Sequence, residues 1–299
     1  MKGFCIVDIQ VDASVPQAEE GDAGASSRGR RGRRVPGSLL AGGGFVLALI
    51  LVAIVGPLLA PYDPVNGTGG APLGAPSGAH LLGTDLYGRD LFTRILYGAR
   101  LALGVSTACV VVALLIGSVW GLVAGYFGGV VETLLMRTVD IVISFPYIVL
   151  VIAVLAVLGP GLFTVFVAIA VVDWTTYARL VHSQVLSVRE RDYIESCHAL
   201  GMPPLRIMRR HILPNVVTAA VVYATLDISQ VILLISALSF LGLGAQPPTP
   251  DWGYMVNEGR AFIYNAWWVS TFPGIAVMIT GLAFSLLGDG LADALEIPR

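Results

Sequence analysis

Lysine is all but missing from this sequence: Lys2 stands alone against seventeen arginines. A nucleotide-phosphate loop needs Gly-x-x-x-x-Gly-Lys-Ser/Thr, so this chain cannot build one, and any ATP-driven step must use another polypeptide. Charge of either sign is scarce too. Only 13% of the 299 residues are charged while 56% are hydrophobic, with a mean hydropathy of +0.79. That balance excludes an ordinary soluble domain and indicates several membrane spans. A net charge of −2 gives no bulk attraction to nucleic acid. The three cysteines, Cys5, Cys109 and Cys197, are scattered and odd in number, which argues against a disulfide or metal framework. No His-Glu-x-x-His, no Gly-x-Ser-x-Gly and no His/carboxylate cluster marks the apolar runs, which argues against a membrane enzyme.

What is present is a succession of apolar runs. Residues 1–37 read as a disordered cytoplasmic tail whose Arg28, Arg30, Arg31, Arg33 and Arg34 hold the N-terminus inside. It is too long for a signal peptide and lacks a suitable cleavage site. Residues 38–60 form the first transmembrane helix, about the 20 residues a bilayer core requires. Residues 61–100 form an external loop rich in Gly and Pro. Asp85, Arg89, Asp90 and Arg94 in it alternate in sign at helical spacing, as in an amphipathic interfacial helix. Residues 101–299 hold the core domain, with spans at 101–124, 131–158 (kinked by Pro146), 162–181, 216–241 and 269–287. Ala113, Gly117, Gly121 and Gly125 recur every fourth residue as a helix-packing stripe. Arg137 and Asp140 can pair at i, i+3, and Arg179 can reach toward the cytoplasmic face. Trp267 and Trp268 suit an interfacial aromatic belt. The sum is an all-α membrane protein of six transmembrane helices with both termini cytoplasmic, and its densest arginine clusters then fall on one side.

Two acidic residues lie within spans. Asp173, beside Trp174, and Asp227, with Gln230 on the same helix face, are costly at that depth unless they meet a cavity or a partner. Asp173, Trp174, Asp227 and Gln230 are the candidates to line a translocation path; for Asp173 the alternative is a structural hydrogen bond to a neighbouring helix.

The long polar interruption is Ser187–Asn215. Ser187 and Glu190 have capping-box spacing for a helix start. Tyr193, Cys197 and Leu200 fall on one helical face. Gly201 suits a left-handed helix end, Pro203 and Pro204 restart the chain, and a basic helix with Arg206, Arg209, Arg210 and His211 closes at Leu213–Pro214. By composition this is a solvated cytoplasmic loop. Its order of Glu195, Ser196, Cys197, Ala199, Leu200, Gly201 and Leu213–Pro214 resembles the "EAA" loop of ABC-importer membrane subunits, with Ser196 and Cys197 in place of two alanines. The resemblance implies that this loop docks on an ATPase subunit.

Four further stretches resemble the C-type subunit of the dipeptide/oligopeptide/nickel permease family. They are His80–Arg100 (HLLGTDLYGRDLFTRILYGAR), Trp174–Arg179, Ser239–Gly253 (SFLGLGAQPPTPDWG) and the terminus Gly288–Arg299. The family often has a glutamate where Ile235 stands, which leaves Asp227 to substitute for it. The resemblance implies a type I ABC importer permease fold in a bacterial inner membrane. It implies a non-catalytic permease of a peptide importer working with a homologous B-type permease, two ATP-binding subunits and an extracytoplasmic solute-binding protein. ATP and Mg then belong to the partner ATPases, and this chain binds no cofactor, metal or nucleic acid. Nickel and glutathione are alternative substrates within the family. A self-sufficient secondary transporter using Asp173 and Asp227 is the alternative of another class.

Overall fold

The computed structural model describes residues 37–67 and 70–295. The basic tail (Gly37 apart), Thr68, Gly69 and residues 296–299 lie outside them. Among the described residues, regular structure is helical apart from an isolated antiparallel bridge between Thr84 and Asp90.

Helix α1 (Gly37–Leu59) is apolar throughout and packs along α10 (Trp268–Ala294). Glycines make that contact close: a methyl on Gly42 would strike the Leu287 backbone, and one on Gly290 the backbone of Leu39. Helix α2 (Leu91–Phe127) runs the length of α5 (Leu162–Arg189). The small-residue stripe lies in this contact. Gly117 faces the Trp174 carbonyl, and Gly121 faces the Ala178 carbonyl and the His182 amide. These neighbours are backbone and cannot turn aside. Gly121→Val is therefore expected to cost about 1–3 kcal/mol or more by overpacking, seen as a lower melting temperature of the detergent-solubilised protein. An unchanged melting temperature would show that α2 and α5 can part freely.

The third span is not a kinked rod. Helix α3 (Gly129–Ile143) and α4 (Tyr147–Leu158) meet at 84° across a three-residue break. Pro146 lacks the N–H a continuing helix needs and restricts Phe145 before it. Among the described residues, five continuous helical stretches are long and apolar enough to cross a membrane, six with that pair counted as one.

Three sequence expectations are corrected at the loop. Ser187 and Glu190 do not start a helix, because α5 continues to Arg189. Val185 and Val188 are buried there with Ile194 and Ile212, and Arg189 Nη1 donates to the carbonyls of Gly125 (2.8 Å) and Tyr126 (3.3 Å) at the end of α2. Next, α6 (Asp192–Ala199) buries Ile194 and Cys197, while Tyr193 and Leu200 point outward. Finally, Leu213–Pro214 does not close a separate basic helix. Helix α7 (Pro204–Ile207) passes through a wide π-turn, Met208–Ile212, into α8 (Leu213–Phe240). Leu213 N–H bonds back to Met208 O. The wider turn accommodates Pro214, which has no N–H and would otherwise clash with the preceding turn.

At the opposite end, residues 80–90 are irregular rather than an interfacial helix. Asp90 caps α2 by accepting from Thr93 N at 2.8 Å and lies 3.0 Å from His80 Nδ1. Asp85, Arg89 and Arg94 are buried. Arg89 Nε donates to Asp85 at 2.6 Å, and Arg89 Nη2 reaches Glu258 of α9 (Trp252–Gly259) at 3.2 Å. Arg94 Nε is 3.5 Å from Asp85, and its Nη1 donates to Pro64 O at 2.8 Å. Burial pushes the Glu258 carboxyl above its ordinary range, with Asp85 adding to that and Arg89 drawing it back. The sequence shows the signs of Asp85, Arg89 and Arg94 but not Glu258, which is 169 residues from Arg89. Of the two tryptophans expected at an interface, Trp268 turns into the core and Trp267 stays exposed.

Candidate functional site

Two places bring the expected residues together. The first is a cavity of about 630 Å³ bounded by α4, α5 and α8. Asp173 lies near the middle of α5 and Asp227 near the middle of α8, and both line it with Gln230, Thr176, Tyr147 and Tyr223. Each aspartate is only 5% exposed. The Tyr177 hydroxyl donates to Asp227 Oδ2 at 2.7 Å, and its ring meets Tyr223 edge-on at 5.2 Å. Asp173 lines the same space, and its buried Oδ2 has no hydrogen-bond partner. Asp227 thus makes a helix-to-helix hydrogen bond, and both aspartates line the cavity. An unsatisfied carboxylate at mid-span costs about 2.5–3.5 kcal/mol on insertion scales, so this arrangement is expensive to keep.

Trp174 is not part of this cavity. It packs against Trp120 at 5.0 Å and donates to Val171 O at 2.9 Å. Ile235 is buried in the core beside Val231 and Leu238. The tyrosines were the residues least expected, although periodicity held a signal. Tyr177 is four residues after Asp173 and Tyr223 four before Asp227, so each shares its aspartate's face. Asp140 also takes a partner from another helix: Arg179 Nη2 donates to it at 2.8 Å, in place of the expected pair with Arg137. His182 Nε2 meets Glu132 at 2.8 Å, a second polar link between α3 and α5.

The second place is the loop after α5. Gly201 has φ of +70°. Its N–H bonds to His198 O and that of Met202 to Cys197 O, the paired hydrogen bonds of a left-handed helix end. Glu195, Ser196, Ala199, Gly201, Arg206 and Pro214 are exposed, as are Leu200 (76%) and Leu205 (61%). Pro203, Leu205, Arg206, Arg209 and Arg210 line a concave surface of about 550 Å³. Cys197 faces inward, so its small size lets α6 seat on this chain's own core rather than on a partner. His211 and Leu213 are half-buried; Asn215 Nδ2 donates to the His211 carbonyl at 2.6 Å and to the Tyr193 hydroxyl at 3.4 Å. Among the described residues, no three His, Cys, Asp or Glu side chains gather as a metal set.

Residues 117–297 match the family described as the binding-protein-dependent transport system inner membrane component. Residues 38–72 match the N-terminal transmembrane domain of oligopeptide transport permease C. The chain is 45% identical over 251 residues to the dipeptide transport system permease protein DppC of Alkalihalophilus pseudofirmus, covering 84% of this chain and 83% of that one. It is equally 45% identical over 258 residues to the glutathione transport system permease protein GsiD of Pectobacterium atrosepticum, covering 86% of each. The Pseudomonas aeruginosa di/tripeptide transport system permease protein DppC is 42% identical over 258 residues, covering 84% of this chain and 85% of that one. Among solved structures, a chain of the inward-facing MetNI methionine ABC transporter superposes with a TM-score of 0.54 at 21% identity, covering 69% of this chain and 96% of that one. That likeness is one of fold.

Proposed function

Because this chain belongs to the family of binding-protein-dependent transport inner membrane components, we propose that it is the C-type permease of an ATP-driven importer of di- or oligopeptides. In this reading it pairs with a homologous B-type permease, two ATP-binding subunits and an extracytoplasmic solute-binding protein. ATP and Mg sit on the ATPase chains, and this chain performs no chemistry of its own. Both termini and the loop 187–215 face the cytoplasm. The equal identity to a glutathione permease favours glutathione, itself a peptide with a free amino group, as the second substrate reading.

The observation that carries the coupling role is the exposed apolar pair Leu200 and Leu205 flanking the left-handed turn at Gly201. Large apolar side chains held open on either side of a fixed turn suit a protein interface. Movement of the ATPases on ATP binding is transmitted through this docked segment into α5 and α8, which rock the spans between inward- and outward-facing states. Asp173, Asp227 and Gln230 line the path those spans enclose.

Docking is tested by co-purification. Burying a leucine is worth about 1.5–3 kcal/mol, so Leu200→Asp is expected to lower recovery of the ATPase subunits with this chain by roughly tenfold or more. Undiminished recovery would place the ATPase contact elsewhere.

A further inference from the structure

We propose that the cavity between α4, α5 and α8 receives the protonated α-amino group of the peptide in transit, with Asp173 and Asp227 as its anionic partners. This rests on the peptide-permease reading above and adds the chemical group recognised and the residues that recognise it.

Asp173 Oδ2 is buried and lacks a hydrogen-bond partner, in a side chain that lines the cavity. A buried acceptor left open in this way is costly unless a donor arrives. Asp227 is held in place by the Tyr177 hydroxyl and lines the same space. Among the described residues, no arginine, lysine or histidine lines the cavity, so none of them supplies a cation there to balance the two carboxylates. An ammonium offers three donors and no acceptor. The cavity offers both carboxylates and the Gln230 amide oxygen as acceptors, and Tyr147 and Tyr223 add aromatic rings, favourable neighbours for a cation. Val231, Leu234 and Ala237 make the remaining wall apolar, as an adjoining side chain requires. The volume falls within the roughly 300–1,000 Å³ of small-molecule sites. A hard metal ion would want six or more oxygens and fits this set poorly.

The test uses the whole complex in liposomes, with its partner permease, ATPase subunits and binding protein, and radiolabelled Ala-Ala. Asp173→Asn and Asp227→Asn are each expected to slow uptake at sub-saturating peptide at least about tenfold, because a charge-assisted hydrogen bond is lost. Asp173→Glu keeps the charge and is expected to stay within roughly threefold of wild type. In the purified wild-type complex without binding protein, Ala-Ala is expected to slow carbodiimide modification of Asp173, read by mass spectrometry, and N-acetyl-Ala-Ala is not. Wild-type uptake by both asparagine variants, or equal protection by the two peptides, overturns the proposal. If an asparagine variant fails to assemble, the protection experiment on the wild type decides alone. If the wild-type complex moves no Ala-Ala, the peptide reading itself fails, a result distinct from loss in the variants only.

Discussion

Asp85→Asn is expected to destabilise the protein by about 3–5 kcal/mol, the cost of breaking a buried ion pair by removing one partner. Asp85 Oδ2 meets two guanidinium groups, Arg89 Nε at 2.6 Å and Arg94 Nε at 3.5 Å. Its Oδ1 accepts from the amides of Tyr87 (2.8 Å) and Arg89 (3.0 Å). Asparagine can keep the amide bonds but turns an NH₂ toward the arginines. Two buried cations then share Glu258 alone. This cluster ties the irregular segment before α2 to α9, so the variant should melt at lower temperature in detergent and yield less assembled complex. Asp63→Asn is the matched control, because Asp63 is exposed and its Oδ1 accepts two local amides that asparagine can also satisfy. Surface changes of that kind stay within about 0.5 kcal/mol. Equal melting temperatures for the two variants would mean that the buried charges carry no stability.

Gly201→Val is expected to slow peptide uptake roughly 5–30-fold, the factor corresponding to one or two kcal/mol. The cause is conformational. A Cβ added at Gly201 meets nothing within 4 Å, but φ is +70°. For an L-residue the left-handed conformation costs about 1–2 kcal/mol, and a β-branched residue fits it worst. The strain is relieved by opening the turn, which moves Leu200 and Leu205 relative to each other. ATP hydrolysis should then respond less to the loaded binding protein. Gly201→Asn, which tolerates a left-handed backbone, should recover much of the uptake; equal damage from both would point to something other than backbone conformation.

Much of this was legible in the sequence, and the failures have physical causes. Span number follows from apolar runs, and the Gly201 turn and the α2 stripe follow from what glycine alone permits. The stripe's partner, α5, did not follow, because composition does not say which helix fills a groove. The α3–α4 break was read as a kink, since Pro146 announces an interruption without fixing its angle. The boundary near Ser187 was misread because capping spacing is local, whereas Val185 and Val188 are held helical by contacts with Ile194 and Ile212. Asp173 and Asp227 were visible as misfits in apolar runs. Their shared cavity required the packing of α5 on α8, and Glu258 required a contact across 169 residues.

The central claim is that this chain moves peptide only when ATP is hydrolysed on other chains through its loop. The direct measurement is Ala-Ala uptake into liposomes holding the complete complex and binding protein, with ATP and with a non-hydrolysable analogue. Uptake with ATP alone, abolished when this chain carries Leu200→Asp, is the result expected. Uptake by this chain alone, driven by an ion gradient without ATPase subunits, would contradict it and identify a self-sufficient transporter.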